Sequence, residues 1–226
     1  MSSFPRVLAV VLFSFFLFSC SNGDPSVSSS SYKLIYDFKD EDSLPDISLS
    51  VFVSVESDET RGESLRIVNE KSGLEWKCSG IELKKIEANE DNKWVGYTNF
   101  RPARDSSFPK GLYSVCYEDK SELEAESSFR LLYPDELSGA KSSDFPQIFT
   151  VPAVKKIAIY SNEDELLFFG EEPHSWENNE NILMELKTAW SKRVCYCING
   201  NSIFCLMPPV ELGNKNYIKE DKSEEN

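Results

Sequence analysis

The chain has 226 residues, and its 40% hydrophobic and 12% aromatic content predicts folded cores rather than disorder. Its formal net charge is −14 at pH 7, so it lacks the basic surface that neutralises nucleic-acid phosphates, and we expect no nucleic-acid partner. Because anionic lipid headgroups would repel this charge, attachment to a membrane requires an apolar anchor.

A signal sequence is predicted at the N-terminus. Arg6 is the only charged residue ahead of an apolar run, Val7–Phe18, which is too short to cross the roughly 30 Å core of a bilayer as a helix. The run ends in Leu17-Phe18-Ser19-Cys20. These four residues resemble the site at which bacterial lipoprotein precursors are cleaved and acylated, and the bulky Phe18 is similar to the looser sites of spirochaete lipoproteins.

The lipoprotein resemblance implies a location. Residues 1–19 would be removed as a lipoprotein signal peptide, Cys20 would carry fatty acyl chains such as palmitate, and the mature protein would be anchored by this lipid in the bacterial cell envelope. Ser21 differs from the aspartate that retains enterobacterial lipoproteins in the inner membrane. An outer-membrane position, facing the periplasm or the cell surface, is therefore favoured. An ordinary secretory peptide and a retained membrane anchor are the alternatives.

The next two segments differ in pattern. Residues 20–31 are predicted to be a flexible tether, because this serine-rich stretch has almost nothing to bury. Within residues 32–134, apolar and polar residues alternate from Ile47 to Val55, broken only by Phe52, as in a half-buried strand. Six further strands are predicted at Ser64–Val68, Leu74–Cys78, Ile81–Ile86, Lys93–Phe100, Gly111–Glu118 and Leu123–Leu132. Seven short strands indicate a β-sandwich.

The segment Phe108–Val115 resembles the late strands of immunoglobulin-like and fibronectin-type-III-like domains of bacterial extracytoplasmic proteins, and the resemblance covers roughly residues 45–134. It implies an immunoglobulin-like sandwich. In immunoglobulin domains a Cys, a Trp and a second Cys mark the core, and Cys78, Trp94 and Cys116 follow that order. The resemblance thus implies a Cys78–Cys116 disulfide. Strand phase favours separate thiols instead, since Cys116 points outward if Tyr113 points inward.

The C-terminal part is predicted to be a small α+β unit, residues 148–212, after a linker at residues 135–147. The fold class is therefore mainly β, a sandwich followed by a ββαββ unit. Because so short a unit has a marginal core, we expect it to pack on the sandwich. The acidic tail, residues 213–226, is predicted to be disordered. The predicted elements are strands at Val154–Tyr160 and Leu166–Phe169, a helix from about Asn179 to Ser191, and strands Val194–Ile198 and Ser202–Leu206 around a tight Asn199-Gly200 turn.

One constellation, Cys195, Cys197, Cys205 and His174, has metal-ligand chemistry. A two-residue hairpin loop would place Cys205 on the face opposite Cys195 and Cys197, so we predict no metal site and no cofactor. A disulfide from Cys205 to either of the other two is an alternative that requires a register shifted by one residue. His174 is the only histidine and no glycine-flanked serine accompanies it, so no catalytic residue is predicted.

Tryptophan side chains are the candidates for binding, because they can stack on sugar rings or anchor protein contacts. Trp94 and Trp190 are predicted to be structural, at a core strand position and on the apolar face of the helix. Trp176, in a proline-containing loop, and Trp76 are predicted to be available for a ligand.

The leading functional interpretation is a noncatalytic, membrane-anchored lipoprotein that binds a protein or a glycan at the cell envelope. One alternative is a small envelope hydrolase or carbohydrate-active enzyme with a site between the two units. The other is an envelope-assembly scaffold subunit, for which a large exposed apolar patch would be the sign.

Overall fold

A computed structural model describes residues 24–56, 61–89, 92–103, 106–176 and 178–213. The predicted signal peptide, the predicted lipidation site Cys20 and nearly all of the predicted acidic tail lie outside these residues. Within them the protein is mainly β. The strands are β1 Val27–Asp37, β2 Asp46–Val55, β3 Gly62–Asn69, β4 Glu75–Ser79, β5 Lys84–Asn89, β6 Asn92–Phe100, β7 Gly111–Asp119, β8 Glu124–Leu131, β9 Val154–Ser161, β10 Leu166–Gly170, β11 Ala189–Ile198, β12 Ile203–Leu206 and β13 Val210–Glu211, and the α-helix is α1 Asn179–Glu185.

The strands form two sheets. The larger has the order β10-β9-β11-β12-β1-β2-β6-β5, with β13 pairing beside β11, and the smaller has the order β4-β3-β7-β8. β1 and β12 pair in parallel, with Leu34 opposite Ile203, while the other pairs are antiparallel. This parallel pair joins the N-terminal and C-terminal halves of the chain into one continuous sheet.

A β-sandwich is formed where β1-β2-β6-β5 faces the small sheet. This arrangement matches the A-B-E-D and C′-C-F-G strand order of immunoglobulin-type domains, and all seven predicted strands are present. The Tyr113 hydroxyl donates to the carbonyl oxygen of Pro109 at 2.7 Å, which is the corner that such domains place at the start of strand F. Buried side chains from both sheets, among them Leu49, Val51, Leu65 and Val115, form the main core.

The predicted tether is wrong for its second half, because Val27–Ser31 belong to β1. Strand formation here depends on backbone pairing with β2 rather than on apolar side chains. A serine side chain of this segment also contacts the small sheet: the Ser30 hydroxyl donates to the carbonyl oxygen of Ser128, in β8, at 2.8 Å. Only about six residues, 21–26, therefore separate Cys20 from the folded body.

The predicted linker, residues 135–147, is packed rather than exposed. It contains two short 3₁₀ helices, Asp135–Gly139 and Ser142–Asp144. Leu137, Ala140 and Phe145 are buried and belong to the main core. The segment thus covers part of the large sheet beyond the edge of the small one.

The predicted ββαββ order is present, but its boundaries differ. α1 ends at Glu185, and Ala189 and Trp190 lie in β11, since pairing with β9 outweighs a helical pattern. Asn178 caps the helix, because its side chain accepts a hydrogen bond from the backbone N–H of Asn181 at 3.0 Å. The hairpin loop has four residues rather than two, since Ile198 pairs with Ile203. A second, smaller core lies between α1 and the large sheet.

Candidate functional site

The large sheet has two faces of different character. Its inner face packs on the small sheet, on the 135–147 segment and on α1, and both core clusters are built on that side. The contacts of β1 with β8 and of β6 with β3 lie on the inner face. Several apolar side chains of the outer face are exposed, including Ile86 at 50%, Leu166 at 52% and Phe169 at 39%.

A shallow depression of about 360 Å³ lies on the outer face of the sandwich half. Phe52 lies opposite Gly96, and Trp94 lies between Ser54 and Ile86 in the sheet register, so these side chains share the outer face. A Cβ atom at Gly96 would meet the carbonyl oxygen of Val51 and would come within 2.5 Å of the ring of Phe52, which covers this residue. Glycine at this position therefore lets the ring lie along the sheet. The depression is lined by Ser31, Tyr32, Lys33, Ser50, Phe52, Ile86 and Trp94.

A second aromatic group lies on the same face in the C-terminal half. The rings of Phe169 and Phe204 contact each other edge to face, with centroids 5.7 Å apart. Two ammonium groups lie over these rings: Lys33 Nζ is 5.7 Å from the centroid of Phe204, and Lys156 Nζ is 5.4 Å from that of Phe169. Lys33 also lines the depression, so it connects the two aromatic groups.

The charge of this face is opposite to that of the whole chain. Register places Lys33, Lys84 and Lys156 on it, and none of the three forms a salt bridge with another described residue. Two carboxylates lie on the same face: Asp37, which is paired with Arg193 and Lys39, and Asp46, which lies opposite Asp37 in the register. Burial alone would raise the pKa of Asp37, but hydrogen bonds from Lys39 and Arg193 outweigh burial and lower it. The outer face therefore presents positive charge on a protein of net charge −14.

The structure does not bring Cys195, Cys197 and Cys205 together with His174 as a set of metal ligands. Cys195 and Cys197 are buried on the outer face with their sulfur atoms 3.8 Å apart, whereas Cys205 points into the main core opposite Tyr196. All three are free thiols, so the alternative of a disulfide to Cys205 is wrong. The hydrogen bond to Cys197, together with burial, raises the pKa of Cys195. No group of three metal-ligating side chains occurs among the residues that the structure describes.

The implied Cys78–Cys116 disulfide is also wrong. Cys78 lies opposite Leu65 and points into the sandwich, while Cys116 lies opposite Arg66 and points away from it. Both residues are free thiols, and burial raises the pKa of Cys78 to about 11. The phase argument from Tyr113 therefore describes this strand correctly.

The tryptophan predictions are wrong for Trp176 and Trp94. Trp176 is only 4% exposed and its ring contacts that of Phe168 at 4.8 Å, so it is a core residue of the C-terminal half. Trp76 packs against Phe108, and its indole N–H donates to the carbonyl oxygen of Arg101 at 2.7 Å. Trp94, predicted to be in the core, lies on the outer face and lines the depression. Of these three tryptophans, Trp94 is the one that lines the outer-face depression.

His174 is exposed and lies in the 3₁₀ helix His174–Trp176. The neighbouring Ser175 hydroxyl contacts the Glu185 carboxylate at 3.5 Å, and no described serine or carboxylate is hydrogen-bonded to the imidazole. A separate crevice of about 520 Å³ lies on the inner side, between Phe145, Tyr196 and Met207. Its one cationic lining residue, Lys192, is paired with Glu172.

Sequence reasoning missed the outer-face residues Phe52, Phe169, Phe204, Lys33 and Lys156. One signal was visible: Phe52 breaks the alternation of β2 by placing an aromatic ring where serines stand on either side. An aromatic residue at an outward position, on an otherwise regular strand, indicates an exposed ring. Phe169 and Phe204 gave no such signal, because they lie in runs that are apolar on both faces.

Two further observations bear on function. Within the described ranges, no helix is long and apolar enough to cross a membrane. No protein-family model matches this chain, and no curated protein sequence matches it. The geometry of the outer face is therefore the basis for a functional assignment.

Proposed function

We propose that this chain is a noncatalytic lipoprotein, anchored in the bacterial envelope through Cys20, which binds a protein or a glycan with the outer face of its large sheet. The observation that supports this most is the row of accessible rings and unpaired lysines on that face, Trp94, Phe52, Phe204, Lys33 and Lys156. Exposed aromatic residues on one contiguous surface are a mark of interaction sites.

The rings of the proposed binding surface are carried by strands, so we expect them to be in place before a ligand binds. Every ring of the surface is carried by a strand, and the strands between the two edges are hydrogen-bonded on both sides. A ligand that meets preformed rings loses little free energy to ordering of the protein. The short connection to Cys20 adds to this, since six residues at 3.3–3.6 Å each span at most about 20 Å, which keeps the surface close to the membrane.

Removal of these partly accessible rings is expected to weaken capture without unfolding the protein. Trp94→Ala and Phe204→Ala should each weaken binding to envelope material about tenfold or more, because an aromatic contact in a binding site contributes about 1.4 kcal/mol or more. Retention of an envelope extract by the immobilised full-length chain measures this. Trp76→Ala is not a fair control, since Trp76 supports the core. Leu74→Ala changes an exposed apolar residue at the end of β4 and should leave capture unchanged. Equal retention by all variants would contradict the proposed surface.

A separate experiment tests the proposed lipid anchor at Cys20. Cys20→Ser should remove acylation and shift the protein from the detergent phase to the aqueous phase, because a lipid chain contributes about 0.8 kcal/mol per buried CH₂ group. Phase partitioning and mass measurement of the N-terminal peptide check this. Ser19→Ala, which keeps a small residue before the cysteine, is the matched control and should stay acylated. Full detergent partitioning of Cys20→Ser, with no lipid mass on the parent, would overturn the anchor.

A further inference from the structure

The chemistry of the outer face narrows the ligand class, and this inference rests on the proposed function. We infer that the outer face binds an anionic polysaccharide, a chain of sugar rings that carries carboxylate or sulfate groups. Three properties of the face lead to this. It carries flat aromatic rings, and its ammonium groups form no salt bridge with another described residue. Its free hydrogen-bonding groups are side-chain hydroxyls, because the backbone donors and acceptors of the strands are already paired.

The rings suit sugars because they are partly accessible on the outer face. Phe52 lies along the sheet over Gly96, and Trp94 lies beside it in a depression that is shallow rather than deep. A sugar ring has one face made largely of C–H groups, which packs on an aromatic face and loses hydrating water there. Two aromatic groups on one surface provide contacts for more than one sugar unit.

The lysines determine the charge of the ligand. Lys33 and Lys156 hold their ammonium groups over Phe204 and Phe169, beside the surface where a sugar would stack. Lys33 donates one hydrogen bond to the carbonyl oxygen of Asn201 at 2.6 Å, which positions the group and leaves donors for a ligand. A protein of net charge −14 repels polyanions elsewhere, so these lysines localise an anionic ligand to this face.

The hydrogen-bonding groups favour a glycan over a peptide. A peptide that adds to a sheet uses free backbone groups, which are found at sheet edges, and the backbone of the strands below the depression is already paired. The groups that are free here are hydroxyls: neither Ser31 nor Ser50 is hydrogen-bonded through its side chain to another described residue, although Ser50 is only 7% exposed. Hydroxyls and ammonium groups match the hydroxyls and carboxylates of an acidic sugar chain.

The depression is open to the sides, which favours a polymer over a single sugar. Its lining ends at Lys33, whose ammonium group lies over Phe204, and Phe204 contacts Phe169, so the second aromatic group lies beside the depression. A chain could therefore lie across the strands and extend beyond them. The short connection to Cys20 places such a surface beside the polysaccharides of the envelope.

The test uses the full-length chain in nonionic detergent and affinity electrophoresis in gels that contain one probe each: polygalacturonate, neutral dextran or poly-L-glutamate. We expect retardation by polygalacturonate alone, with weaker retardation at higher salt. The Lys33→Gln, Lys156→Gln double variant and Trp94→Ala should each weaken the retardation about tenfold, since loss of either contact costs about 1.4 kcal/mol. Lys155→Gln removes the same charge from the neighbouring residue, which points to the opposite face, and should bind normally.

The outcomes separate this inference from the proposed function. Equal retardation by poly-L-glutamate would show that the face selects charge alone and suits an acidic protein, and it would overturn the glycan inference. Retardation by dextran that the lysine substitutions leave unchanged would also overturn it, because the charge would have no role. If no probe is retarded while Trp94→Ala still reduces capture from the envelope extract, the glycan inference fails and the proposed function stands. Loss of both results would reject the two together.

Discussion

Replacing Trp176 by alanine is expected to lower the free energy of unfolding by about 3–5 kcal/mol. The side chain is 4% exposed and packs on Phe168, Ile182 and Ile157 in the smaller core, so its removal leaves a cavity between α1 and the sheet. Urea denaturation of the full-length chain, followed by circular dichroism, measures the change. We expect the binding of the folded fraction to stay normal, because Trp176 lies on the inner side.

Two variants control this result. Trp176→Phe keeps a ring in the core and removes an indole N–H that has no hydrogen-bond partner among the described residues, so it should cost much less than alanine. Trp94→Ala removes the same side chain from the outer face and should change stability by less than the core substitution while it weakens binding. A stable Trp176→Ala protein with weakened binding would mean that Trp176 is a ligand contact.

The second large effect is expected at Arg193, which ties β11 to the first strand. Its guanidinium is paired with Asp37, donates to the carbonyl oxygen of Phe38 at 2.9 Å, and donates from Nε to the carbonyl oxygen of Met207 at 2.7 Å. Arg193→Ala would leave these acceptors without their partner at a side chain that is 11% exposed. We expect a loss of about 2–4 kcal/mol, discounted from the buried-pair range because Asp37 remains partly solvated.

The adjacent residue provides the control. Lys192 is paired with Glu172, and both side chains are more accessible than Arg193, so Lys192→Ala should cost at most about 1 kcal/mol. Equal costs for the two substitutions would contradict the role given to the Arg193 contacts.

Low pH should reduce the contribution of the Asp37–Arg193 pair to the free energy of unfolding. The pKa of Asp37 is lowered in the folded protein by Lys39 and Arg193, so its stabilisation is fully present above the unfolded value of about 3.9 and is lost as the pH falls through the folded value. Asp37→Asn should therefore remove this part of the acid dependence. If the loss of stability at low pH is the same in Asp37→Asn as in the parent protein, other carboxylates are responsible for that loss.

Much of the sandwich follows from sequence pattern because period-two alternation reports which face of a strand is buried. β2 and β7 alternate clearly, and the phase of Tyr113 correctly separates Cys116 from the core. The alternation does not show which strands pair with each other. The serines of β1 have the pattern of a tether, since a strand whose side chains are polar is specified by its neighbours, β2 and β12, rather than by its own residues.

The candidate site was the least predictable part for a related reason. Rings at Trp94 and Phe204 come together only through strand order, and strand order depends on contacts between residues far apart in the chain, such as the pairing of Leu34 with Ile203. Loop position was a poor guide as well, because the proline-containing loop that carries Trp176 folds inward. Only Phe52, an aromatic residue at an outward strand position, pointed to the surface.

The most direct test of binding through the outer face is photocrosslinking in intact cells. A benzophenone side chain replaces Phe169, which is 39% exposed on the outer face, or Leu74, which is 49% exposed at the end of β4. Benzophenone inserts into C–H bonds of sugars and proteins alike, so the readout does not assume the ligand class. We predict a discrete crosslinked species from position 169 and none from position 74. Crosslinks from position 74, with none from position 169, would contradict the assignment of the outer face.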